Sequence, residues 1–143
     1  MSIQLKKIVE NIETLRRVYN KDGLPIKMSY TIAKNTAKIE QELNFYLKEK
    51  DKLIQKYAKR NSLNQIESPN GEGYITILPE NMPMWEREHS ELLNMDIEID
   101  FFKFPEEELY NCSCSLTPVE ILSIDFMIEE EKNISKNNLT NNW

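Results

Sequence analysis

The chain reads as an α+β protein: a long N-terminal antiparallel helical hairpin packed with a small antiparallel β-sheet and a buried C-terminal helix. Three observations predict it. Ile32, Thr36, Ile39, Leu43, Tyr46, Lys50, Leu53 and Tyr57 recur at alternating steps of four and three, a helical seam with no Gly or Pro across residues 29–60. Asp96-Ile97-Glu98-Ile99-Asp100-Phe101 alternates strictly between acidic and apolar, as a half-buried strand does. Thr117-Pro118-Val119-Glu120 opens a further helix with a capping box.

The elements follow in order. Leu5, Ile8, Val9, Ile12, Leu15 and Tyr19 form one apolar stripe, so a first helix is expected over residues 2–19. Asn20-Lys21-Asp22-Gly23 stops it, and Leu24-Pro25-Ile26 is expected to be extended. Ser29 is the expected N-cap of the second helix. That helix spans about 45 Å at 1.5 Å per residue, roughly twice the first. The shorter helix covers only half of the seam. Beyond Tyr46 the cover must come from the C-terminal half of the chain or from a second copy. Tyr46, Leu53 and Tyr57 are therefore the expected oligomer interface.

Residues 61–73 are rich in Asn, Gly, Ser and Pro and read as a loop. Tyr74-Ile75-Thr76-Ile77-Leu78 reads as a short strand ended by Pro79. Residues 83–93 read as a short helix with Trp85, His89, Leu92 and Leu93 on one side. Phe102 and Phe104 fall on the parity of the acids, so a bulge or strand end is expected near them. Val119, Ile121, Leu122, Ile124, Phe126, Met127 and Ile128 would surround the last helix, which would bury it. Asn133 to Trp143 reads as a flexible tail.

The chain has 143 residues, enough for one domain. Its formal net charge is −6. Residues 1–62 carry 14 Lys/Arg against 7 Asp/Glu, whereas residues 63–143 carry 4 against 17. The expected organisation is a basic hairpin at 1–62, an acidic α+β part of the same domain at 63–132, and a tail at 133–143. Such asymmetry bears on partners. No stretch approaches the ~18–20 apolar residues of a membrane span. The first residues soon meet Glu10 and Glu13 and do not read as a secretory signal.

Catalytic signatures do not emerge. His89 is the single histidine, and three glycines leave no phosphate-binding loop. Trp85 and His89 read as a packed aromatic pair. Cys112 and Cys114 form half of a zinc set at most, and Cys-x-Cys spacing disfavours a disulfide, so a reduced, intracellular chain is expected. Asp96, Glu98 and Asp100 form a carboxylate row that could attract Mg²⁺ or Ca²⁺, but no calcium loop accompanies it, and it reads as a solvated strand face. Neither a metal nor another cofactor is expected. Lys34, Lys38, Lys48, Lys52, Lys56 and Lys59 form a basic helix face that could track phosphates, although Glu40, Glu42, Glu49 and Asp51 interrupt it.

Several segments together carry a resemblance. They are Leu24-Pro25-Ile26-Lys27, Tyr30-Thr31-Ile32-Ala33-Lys34-Asn35 and Ile39-Glu40-Gln41-Glu42-Leu43, then Glu91 to Ile99 and Leu116 to Leu122. In this order, over residues 24–128, the chain resembles a loose group of small proteins of tailed bacteriophages and prophages. The resemblance implies a phage origin and supports a non-enzymatic role; the expected location is the host bacterial cytoplasm.

The expected function is a protein–protein interaction module, an inhibitor of a host antiphage nuclease or sensor. Asp96, Glu98, Asp100, Glu106, Glu107 and Glu108 would contact a basic surface on that host protein. Homo-oligomers through the second helix are a further expectation, with no membrane and no nucleic-acid partner. Two alternatives stand beside it: an assembly component of the phage particle, and a nucleic-acid binder using the lysine-rich face.

Overall fold

A computed structural model describes residues 1–67 and 75–129. The chain begins with a strand, β1 (Ser2–Gln4), where the sequence pattern predicts helix. The reason is tertiary. β1 pairs antiparallel with β2 (Asp96–Glu98), matching Ser2 to Glu98, Ile3 to Ile97 and Gln4 to Asp96. Helix α1 (Leu5–Tyr19) starts directly after it. The Leu5 amide, with no carbonyl of its own helix to reach, donates to the Met95 carbonyl at 2.9 Å.

Leu5, Ile8, Ile12 and Leu15 of the stripe are buried and Val9 is half-buried, but at its end Val18 takes the core position and Tyr19 is exposed. The helix ends where expected. The Asn20 amide and side chain both donate to the Arg16 carbonyl. Gly23 then turns at φ 87°, a left-handed conformation that glycine adopts without steric cost.

Helix α2 runs Ile26–Tyr57. It starts three residues before the expected cap. Ser29 lies inside the first turn and donates its amide to the Pro25 carbonyl at 2.9 Å. Proline's fixed φ suits that entry, and its missing N–H costs nothing there. Along the seam, Ile32, Thr36, Ile39, Leu43, Tyr46 and Tyr57 are buried, while Lys50 and Leu53 are half-buried.

The strand expected at 74–78 is reduced in its described part to one antiparallel bridge, Ala58 to Ile77; Tyr74 lies outside the described residues. A 3₁₀ turn at Pro79–Asn81 leads into α3 (Met82–Leu93). β2 keeps the predicted alternation, with Ile97 half-buried and Asp96 and Glu98 exposed, but stops at Glu98. A second ladder joins β3 (Phe104–Pro105) to β4 (Ile128–Glu129) and is parallel. The strands thus form two separate pairs, one antiparallel and one parallel. Between β3 and β4 lie the one-turn α4 (Glu107–Tyr110) and α5 (Pro118–Ile124).

The capping box of α5 is present as read. The Glu120 amide donates to Thr117 Oγ1 at 3.3 Å, and the Thr117 amide donates to Glu120 Oε1 at 2.9 Å. The helix itself is not buried all round. It spans seven residues, of which Glu120, Ser123 and Ile124 are buried, while Val119 and Leu122 are 59% and 67% exposed. The apolar run divides among elements of different phase. Phe126 and Met127 belong to a 3₁₀ turn and Ile128 to β4, so no single helix is encircled.

The chain divides into two compact units. One comprises Met1, Glu10–Glu40 and the residues from Ile99 on; the other comprises Ser2–Val9 and Gln41–Glu98. This division does not follow the charge boundary at residue 62. The first unit holds 9 Lys/Arg against 13 Asp/Glu, and the second 9 against 11. Each unit therefore mixes part of the basic stretch with part of the acidic one. No described helix is long and apolar enough to cross a membrane.

Candidate functional site

Each predicted acidic contact residue has a defined place. Asp96 and Glu98 are exposed on β2, opposite Gln4 and Ser2. They belong to the unit Ser2–Val9 and Gln41–Glu98. Asp100, Glu106, Glu107 and Glu108 belong to the other unit. Asp100 is exposed, and its backbone carbonyl accepts from the Lys38 ammonium. Glu106 and Glu107 are exposed at the start of α4, and Glu108 is half-buried. Among the described residues, no group of three or more His, Cys, Asp or Glu side chains is placed to hold a metal ion.

Other carboxylates of the acidic stretch meet cations of the basic stretch within their own unit. Glu88 pairs with Lys56 at 3.4 Å and Glu67 with Lys59 at 3.6 Å. Glu120 sits 3.2 Å from Lys21 and 3.9 Å from Arg17. The Glu120 side chain is almost wholly buried, yet its carboxylate is held below the usual range. The Thr117 amide is the main cause and Lys21 adds to it, against the opposing effect of burial. Among the described residues, no ion pair engages the carboxylates of Asp96, Asp100, Glu106, Glu107 or Glu108.

Tyr46 and Tyr57, expected at an oligomer interface, are buried within the chain, and Leu53 is half-buried. The Tyr46 hydroxyl shares a hydrogen bond of 2.9 Å with His89 Nε2, and Trp85 stacks on the His89 ring with centroids 5.1 Å apart. The Tyr57 carbonyl accepts from the Leu78 amide and the Asn81 side chain. The seam beyond Tyr46 is thus covered within the chain. His89 is pushed down by burial and then by the nearby Lys50 charge, while burial pushes the Tyr46 phenol up. Both rings favour their neutral forms.

The lysine face divides by partner. Lys52, Lys56 and Lys59 meet Glu49, Glu88 and Glu67. Lys48 borders a shallow depression with Asn44, Leu47, Asp51 and Lys52. Lys34 and Lys38 instead meet aromatic rings. Their ammonium groups lie 5.2 and 4.6 Å from the Phe102 centroid, and Lys34 also lies 5.4 Å from Tyr30.

That arrangement depends on a residue the sequence reading passed over. Asn35, fully buried on α2, fixes the backbone at Phe102. The available signal was the parity of Phe102, which places it with the outward-facing acids.

Cys112 and Cys114 correct an expectation. They are paired with each other, their Cα atoms 5.4 Å apart. That span is shorter than two extended residues reach, so the chain bends at Cys114 and brings the thiols together.

The chain matches no family model, no curated protein and no solved structure.

Proposed function

We propose that this chain is a non-enzymatic protein–protein interaction module of phage origin, which inhibits a host antiphage nuclease or sensor in the bacterial cytoplasm. The reading rests on one observation. Exposed Asp96, Asp100, Glu106 and Glu107 stand outside the ion pairs of the described residues, while Glu67, Glu88 and Glu120 pair with the chain's own cations. Carboxylates left to solvent are available to steer and select a basic partner surface. Glu98 is exposed beside Asp96 on the same strand.

Two variant sets test it, because the acids belong to two units. One reverses Asp96 and Glu98 to Lys; the other reverses Asp100, Glu106, Glu107 and Glu108. Plaque formation on a host carrying the defence nuclease reports inhibition. At least one set should abolish it, and full inhibition by both would overturn the acidic-contact reading.

The assembly alternative draws on a different observation. Ile26, Tyr110, Val119 and Leu122 are apolar or aromatic and largely exposed. Sedimentation velocity separates the two readings. A higher oligomer supports assembly, and a monomer or dimer supports the inhibitor.

A further inference from the structure

Ile26, Tyr30, Lys34 and Lys38 follow one another at intervals of four along α2. Such spacing sets them about 6 Å apart in one row along the helix. Ile26 and Tyr30 are 82% and 61% exposed. Phe102, 45% exposed, joins the row from the segment between β2 and β3, with both ammonium groups near its ring. All five residues belong to one compact unit.

Three features set this patch apart from an ordinary solvated face. First, Lys34 and Lys38 have no carboxylate partner among the described residues, in a chain where acids outnumber bases by 24 to 18. Second, the exposed Phe102 is fixed in place. Its amide and carbonyl both bond the buried Asn35 side chain, and the Asp100 carbonyl beside it accepts from Lys38. These bonds position an aromatic residue that stays 45% exposed. Third, two exposed aromatic side chains, a residue class enriched in contact anchors, lie next to cations that have no carboxylate partner among the described residues.

We infer that this patch docks an acidic segment of a protein partner, one that carries an apolar side chain next to its carboxylates. The carboxylates would bridge Lys34 and Lys38, and the apolar side chain would lie on Tyr30 and Ile26. A nucleic acid fits less well. The ammonium groups already occupy positions over the rings, so a stacking base would have to displace them. Ile26 offers nothing to a phosphate. The net charge of −6 opposes a long polyanion. The patch adjoins Asp100, whose carbonyl Lys38 bonds, but none of its five residues is one of the acidic contacts proposed above, and it stands or falls without them.

A peptide-display selection against the full chain tests it, followed by fluorescence anisotropy with the best enriched peptide. Peptides combining carboxylates with apolar residues should be enriched, and their binding should weaken with salt. Phe102→Ser and Lys34→Glu should each cut affinity roughly tenfold or more. Lys34→Glu removes no hydrogen bond among the described residues, so it keeps the test sound if the Phe102 variant unfolds. A Lys48→Glu, Lys52→Glu control should bind as the parent does. Enrichment without an acidic signature, or binding indifferent to both variants, would overturn the inference. So would tighter binding of a single-stranded thymidine oligonucleotide that the same variants abolish.

Discussion

The side chain of Asn35 and the backbone of Phe102 hold each other through two hydrogen bonds of 2.8 Å, amide to carbonyl in both directions. Asn35 has no exposure at all, so neither bond is exchanged readily for water. Asn35→Ala should strip partners from the Phe102 amide and carbonyl and open a small cavity. The expected loss is roughly 2–4 kcal/mol, read from chemical denaturation midpoints. A loss below ~1 kcal/mol would mean the segment is fixed by other contacts.

Glu120 predicts an acid limit to stability. Its folded-state pKa lies below the ordinary value of 4.5. The associated stability is therefore fully present above that value and is lost as pH falls through the folded-state value. Urea midpoints should decline on acidification in this window, and Glu120→Gln should flatten the decline. An unchanged slope in the variant would show that other carboxylates set it.

His89 acts in a separate window. Burial and Lys50 lower its pKa from 6.5, so the folded state favours the neutral ring. Its contribution is complete above about pH 6.5 and shrinks as pH falls toward the folded-state value, where Tyr46 and Trp85 must accommodate a charged imidazolium. His89→Gln should remove the stability change between about pH 7 and pH 5 while leaving the Glu120 window intact. A wild-type chain equally stable across that range would contradict this.

Legibility in the sequence tracked the distance over which each decision is made. The Thr117–Glu120 capping box is a four-residue interaction and was readable in full. The seam from Ile32 to Tyr57 was readable because its periodicity spans many turns. The start of α2 was misplaced because Ser29 is a strong cap by type, while Pro25 supplied the entry. β1 escaped notice because its pairing partner lies more than 90 residues away. Asn35 escaped because a polar residue inside a helix reads as solvated, and only the fold brings Phe102 to it. Alternation identified Asp96 and Glu98 as exposed, but it could not assign the six acids to different units.

The pairing of Ser2 with Glu98 also sets an order of events during synthesis. Residues 2–4 are made long before the strand they pair with. A ribosome-bound chain can form α1 and most of α2 while Ile3 and Leu5, both buried in the finished fold, still await Asp96 to Glu98. Truncation before Asp96 would leave long helices without that closing ladder, with apolar residues open to aggregation. Ile3 and Leu5 thus need protection in the cell until Glu98 has emerged.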